Sequence, residues 1–305
     1  MKLHRLFLSV ALALAIAPAL VYAADSGDTD SLLQVPPALA AALADIHPEH
    51  GKIDIGSHLA TLDMPEDLGY LPPDQANILL HTAMGYPKMK TLGIIVPTTI
   101  PLGAPASWAA IITYREDGHV SDSDAANLDA GILLARMQQE NGLRRAKLRE
   151  KGFSRVGVDI LGWATQPRYD STRHAAIWAV ETREIGGKDY TVDYHIDILG
   201  RQGVLSIHAA SSLDQLPMIE GNDQKISSLV EFPPSTRYVD FNPDTDRKAA
   251  YGVGDLIAGH TPSATAGSVH KDAPDAARLR GIWLPLFSLL MASALLWKLL
   301  RRRNR

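Results

Sequence analysis

The chain has 305 residues, no cysteine, 46% hydrophobic residues and a formal net charge of -4. The missing cysteines exclude disulfides, a thiolate metal centre and a cysteine nucleophile. The acidic balance argues against the positively charged face that non-specific nucleic-acid binding requires, and the length leaves room for one substantial domain or two small ones between the terminal segments.

Lys2 and Arg5 form a charged start, residues 6–17 an apolar core and Val21-Tyr22-Ala23 a small-residue cleavage site, so residues 1–23 read as a secretory signal peptide. Residues 24–50 are expected to be a partly ordered lead-in with a short helix over 37–45, and residues 51–259 the exported domain.

Within that domain, residues 52–55 and 58–64 are strand-like runs separated by Gly56-Ser57, a pair suited to a two-residue type II′ turn. Pro72 and Pro73 open a helix through Met84, with Ala76, Leu79 and Leu80 on one face. Residues 92–96 are wholly apolar and end at Pro97, as a buried strand does. Residues 108–114 make a second strand, with Glu116-Asp117-Gly118 as its turn. Asp129 is placed to cap a helix to about 151, with Ile132, Leu133, Leu134 and Met137 as its early core face and Gly142 as a weak point. The basic far half of that helix, Arg144 to Arg149, suits a solvated end matched to the helix dipole.

Four strands follow, over 156–163, 175–184, 189–199 and 204–209. In the third, Tyr190, Val192, Tyr194, Ile196 and Ile198 alternate with Thr191, Asp193, His195 and Asp197, the period of a strand with one wet face. Taking Arg201-Gln202 as the next loop pairs Ile198 with Leu205 and Ile196 with Ile207; a one-residue slip would put those side chains in water. For the preceding hairpin, a three-residue Gly186-Gly187-Lys188 loop sets Val180 opposite Tyr194 and Trp178 opposite Ile196. Helices are expected over 216–230 and from Asp244 or Thr245 to Ala258. Trp108, Trp163 and Trp178 read as core anchors.

Residues 260–280 are rich in Pro, Ala, Ser, Thr and Gly and read as a flexible tether. Residues 281–300 are expected to be a transmembrane helix and 301–305 a basic cytoplasmic tail: the apolar run from Ile282 to Leu300 makes about 28 Å of helix against a hydrocarbon core of ~30 Å. Lys298 lies one turn from the basic end, where its stem can reach the headgroups. Arginines flanking a span stay in the cytoplasm. The expected localisation is therefore the inner (plasma) membrane, single-pass, with the domain periplasmic or otherwise extracytoplasmic. The fold class expected is α+β, a mainly antiparallel β-sheet flanked by helices, plus that C-terminal transmembrane helix.

Four stretches carry a resemblance. They are Ala60-Thr61-Leu62-Asp63-Met64-Pro65, Glu116-Asp117-Gly118-His119-Val120-Ser121-Asp122, Leu199-Gly200-Arg201-Gln202-Gly203-Val204-Leu205, and Tyr238-Val239-Asp240-Phe241-Asn242-Pro243 continuing to Lys248-Ala249-Ala250-Tyr251-Gly252. On these, residues 51–259 resemble a bacterial family of predicted membrane-anchored proteins of unknown function. The resemblance implies an exported domain followed by an anchor and brings no activity and no catalytic residues; the long polar tether departs from the family. The strand, strand, strand, helix order after residue 156 also looks like the antiparallel-sheet sandwich of the Mog1 and photosystem PsbP type, a likeness of fold without functional content.

Two constellations carry ligand-type side chains. The hairpin register sets His195 opposite His208, flanked by Asp193 and Asp197, at the roughly 5 Å Cβ spacing that lets two imidazoles share zinc or copper. Two solvated histidines are the plainer account. Asp240, Asn242, Asp244 and Asp246 alternate as in the first half of a calcium loop, but Thr245 stands where Gly is wanted and Tyr251 where a bidentate Glu is needed. Helix capping explains the same residues. No HExxH, GxSxG or P-loop occurs. The sequence assigns no catalytic residue and no cofactor. It reads as a membrane-anchored envelope protein that binds or scaffolds a protein partner without catalysis; the alternatives are a hydrolytic enzyme with a site assembled from distant residues, and a metal- or ligand-sensing domain.

Overall fold

The computed structural model describes residues 34–259, apart from 36, 85–88, 105 and 151–156. The expected signal peptide over 1–23, tether over 260–280, transmembrane helix over 281–300 and tail over 301–305 lie outside the described residues. Among the described residues, no helix is long and apolar enough to cross a membrane.

Helix α1 (Pro37–Ala42) leads into β1 (Gly51–Ile55), β2 (Ala60–Met64), β3 (Leu68–Leu71), α2 (Pro73–Met84), β4 (Gly93–Pro97), β5 (Ala110–Arg115) and β6 (His119–Ser121). Then come α3 (Ala130–Glu150), β7 (Val158–Asp170), β8 (Ala175–Glu184), β9 (Tyr190–Leu199) and β10 (Val204–Ser212). The remainder is α4 (Leu216–Glu220), α5 (Asp223–Leu229), β11 (Val230–Glu231), β12 (Lys248–Gly252) and α6 (Val253–Ile257). Seven strands form one sheet in the order β3-β4-β5-β10-β9-β8-β7, every neighbouring pair antiparallel. The fold is α+β around this sheet, as expected.

The sheet is covered on both faces. On one, Ile112, Ile177, Tyr194, Ile196 and Ile207 pack against Leu62 and Met64 of the small β1-β2-β11 sheet and against Ile219, Ile226 and Leu229 of α4 and α5. Each such aliphatic side chain, fully buried, contributes roughly 1.5–3 kcal/mol. The opposite face is divided. Ile94, Val96 and Ile111 pack with Leu79 and Leu80 of α2, while Ala176, Trp178 and Val180 pack with Leu133 and Met137 of α3 and Val253 and Leu256 of α6. Between these two apolar patches runs a strip of polar side chains on β5, β10 and β9.

Several local expectations need correction. The first hairpin pairs Ile55 with Ala60, so its loop has four residues, Gly56 to Leu59, rather than two. Gly56, Ser57 and His58 all take positive φ, 64°, 57° and 70°, and the Asp54 carboxylate accepts the His58 N–H at 2.8 Å. Strand β3 was not foreseen. Asp129 does cap α3, accepting the Ile132 N–H at 2.9 Å, but the buried face is Leu133, Met137 and Asn141, and Ile132 is 60% exposed. Gly142 lies within the unbroken helix.

The expected helix over 216–230 is two helices separated by Gly221 and Asn222, and Val230 joins β11. Nor does a helix start at Asp244 or Thr245. The Asp246 carboxylate is taken by Arg201 and the Asn242 N–H, so the chain turns into β12, parallel to β6, before α6 begins at Val253.

The hairpin register β9–β10 is the expected one, with Ile198 opposite Leu205, Ile196 opposite Ile207 and Gly200 N–H bonded to Gly203 O. The β8–β9 register is one residue from expectation: Trp178 faces His195 and Val180 faces Asp193. The expectation matched Trp178 and Val180 to the apolar face of β9. In the fold β8 is buried on both faces, and these two belong to the second core.

Candidate functional site

The alternation in β9 predicts a wet face bearing Asp193, His195 and Asp197. That face is covered: the three residues are 6%, 7% and 2% exposed. Burying charge costs several kcal/mol per ion unless partners replace water, and the strand register supplies them. Trp178, His195 and His208 lie side by side on β8, β9 and β10, as do Asp197 and Ser206 on β9 and β10.

The two histidines expected to meet do meet. His195 Nδ1 lies 3.0 Å from His208 Nε2, with the rings edge to face at 4.2 Å between centroids. The indole of Trp178 stacks on the other side of His195 at 4.7 Å, and Asp193 Oδ2 lies 3.4 Å from His195 Nε2. From β5, the Arg115 guanidinium donates to Asp197 Oδ2 at 3.2 Å, to Ser206 Oγ at 2.9 Å and to Asp117 Oδ2 at 3.1 Å; the Tyr251 hydroxyl of β12 donates to the same Asp117 oxygen. Asp197 Oδ1 is buried without a hydrogen bond, 3.8 Å from His208 Nε2.

Burial resists charge on Asp197, but the Arg115 guanidinium, His208 and Ser206 together outweigh it and hold the carboxyl far below the usual range. Burial also lowers both histidines. For His195 the Asp193 carboxylate reverses this and raises it, whereas His208 stays lowered by burial and by charge on His195. The strip therefore holds an ionised Asp197, a guanidinium and a histidine pair whose first proton rests on His195. Among the described residues, no group of three or more His, Cys, Asp or Glu side chains is placed to hold a metal ion. The nitrogens that would face a zinc or copper ion face each other instead.

The calcium-like residues have other partners. Asp240 accepts from the Arg237 guanidinium at 2.9 and 2.8 Å and from the Ser235 N–H at 2.9 Å. Asp246 is held by Arg201 at 2.7 and 2.9 Å, which brings it down to about 2. The Asn242 side-chain oxygen accepts the Asp244 N–H at 3.0 Å, closing a turn. Asp246 thereby ties the loop after β11 to the β9–β10 turn, while Asp240 and Asn242 hold turns within that loop.

A second cluster lies beside β6 and was not foreseen. His119 is sandwiched between Tyr238 and Phe241, with centroid distances of 4.3 and 3.9 Å. Tyr169 donates its hydroxyl to Asp122 at 2.9 Å and lies 3.3 Å from His174 Nδ1. Burial, then the bond to Asp122, raises the Tyr169 phenol far above its ordinary value, so it serves here as a hydrogen-bond donor and not as a nucleophile.

Sequence reasoning found His195 and His208 because a tight Gly-bounded turn sets their register. It missed Arg115 and Tyr251, which reach the strip from strands distant in sequence, and Ser206, which the same hairpin register sets opposite Asp197. The one available signal was compositional: two carboxylates and a histidine in a strand with no other polar excess need cationic partners if they are covered.

The family model described as "Protein of unknown function (DUF2167)" matches residues 47–271, running past Gly259 into the expected tether. No curated protein matches the chain. Among solved structures, the chain is similar to the solution structure of cyanobacterial PsbP (CyanoP) from Synechocystis sp. PCC 6803, with 8% identity over 60% of this chain and 91% of that one. The TM-score of 0.33 is too low to carry an argument.

Proposed function

The chain belongs to this family of unknown function, and on that premise we propose that it is an extracytoplasmic binding or scaffolding protein, held at the membrane by its C-terminal apolar run and without catalysis of its own. The observation supporting this reading is that the ionisable side chains gathered on the sheet are committed to one another. Arg115, Asp117, Asp197, Ser206, His195 and His208 are bonded among themselves, with one oxygen of Asp197 left over. Catalysis would need such groups convergent on a space that a substrate can enter.

Large apolar side chains remain exposed for a partner. Tyr190 and Leu213, at the same end of the β9–β10 pair, are 45% and 41% exposed. Photo-crosslinking from these two positions in intact cells should recover one specific protein, and a reporter fused after Arg305 should be active only in the cytoplasm. Recovery of no specific partner overturns the binding reading; a reporter active outside overturns the topology.

A further inference from the structure

His195 Nδ1 and His208 Nε2, 3.0 Å apart, can share one proton but not two. When both rings are neutral, one N–H fills the gap. When one ring is charged, the imidazolium donates to the neutral ring. When both are charged, two N–H groups point at each other and the bond is lost. A buried acceptor without a hydrogen bond waits beside the pair: Asp197 Oδ1, 3.8 Å from His208 Nε2.

We propose that His195 and His208 form an acid-operated latch with two positions. One shared proton keeps the rings bonded to each other, and a second turns His208 away from His195 onto the free oxygen of Asp197.

His208 is the ring that moves. The His195 side chain is 9% exposed and is fixed by the Trp178 stack and by Asp193, whereas that of His208 is 21% exposed and lies against His195 and Asp197. The charged groups facing the pair are Asp193 and Asp197 on β9 and Arg115 on β5, with Asp117 behind Arg115; β8 offers Trp178, β10 Ser206 and β12 Tyr251, all uncharged. The first proton rests on His195, raised by Asp193, and the second is resisted at His208 by burial and by the charge already present. Once turned, His208 competes with Arg115 for Asp197. Arg115 also holds Asp117, so the shift is felt at Tyr251 on β12. The latch follows from the strand register and does not rest on the proposed function.

The test is a pH titration of the full-length chain in detergent, labelled with 15N at its histidines and followed by nuclear magnetic resonance. Two steps are expected for this pair, more than about one pH unit apart, as for strongly interacting sites. The nitrogen-nitrogen coupling across the rings should vanish in the lower step while the far-ultraviolet circular dichroism stays constant. His208→Gln, which keeps a donor toward His195, should abolish the lower step and leave the upper one. Titration of both rings together near the ordinary histidine value overturns the proposal. So does coupling that persists when both rings are charged, or a lower step that coincides with loss of secondary structure. The wild-type titration decides the matter even if the variant fails to fold.

Discussion

Arg115 and Asp197 sit on strands that are not neighbours, yet their side chains meet at 3.2 Å across β10, with Ser206 of the intervening strand bonded to the same guanidinium. This one cation faces two carboxylates, Asp197 and Asp117, whose side chains are 3% and 6% exposed. Removing one partner of a buried pair leaves the other charge without water or counter-charge. Arg115→Met should therefore lower the unfolding free energy in urea by about 3–5 kcal/mol. Adding Asp197→Asn to that variant should restore part of the loss; a double variant no more stable than the single one would show that the pair is not the source.

Stability should peak at weakly acidic pH. His195 is raised in the fold, so its contribution is fully present below its unfolded value of about 6.5 and is lost as pH rises through the folded value. His208 is lowered, so its contribution is present above about 6.5 and is lost as pH falls toward its folded value. Urea unfolding at a series of pH values should give a maximum between these limbs. His208→Gln should flatten the acid limb alone.

Asp124 closes the start of α6, its two carboxylate oxygens accepting the N–H groups of Val253 at 3.1 Å and Gly254 at 2.9 Å. Asp124→Ala should cost about 1–2 kcal/mol, the usual loss for a removed cap. The melting temperature should fall, and backbone amides of α6 should exchange faster than those of β9.

Gly118 has φ +91°, and a Cβ there would lie 2.7 Å from Arg247 O and 3.0 Å from Ala249 N. Both the backbone conformation and the close approach of the chain entering β12 require glycine. Gly118→Ala should destabilise by at least about 1–2 kcal/mol. Gly142→Ala, at a helical position with nothing within 4 Å, should stabilise by about 1 kcal/mol. Equal effects from the two substitutions, read in thermal melts, would refute this account of both glycines.

The readable parts of the fold were those where two local signals agreed. For β9–β10, glycines bracket the turn and a single apolar face sets the register, and the observed pairing follows from both. For β8–β9 the second signal was misleading, because apolar residues on both sides of β8 fit either register until it is known that α3 and α6 cover the second face. The same ignorance turned Asp193, His195 and Asp197 into a solvated edge. Alternation reports that two faces differ; it does not report what lies above each. Tyr251, Val253 and Leu256, which close over that face, follow only after two helices and two more strands. Arg115 was equally hidden, since β5 meets β10 through a pairing that spans some ninety residues of chain.

Strand β7 borders the large sheet, and its first carbonyls are not left bare: Asn141 of α3 donates to Val158 O at 2.8 Å and Gln138 to Ile160 O at 3.0 Å. Two amides on one helix thus occupy positions where another molecule's backbone would otherwise dock. Growth of the sheet by recruitment of a second copy is obstructed along the first residues of this margin. Crowding many copies together therefore need not turn a folded population into a ribbon of shared strands.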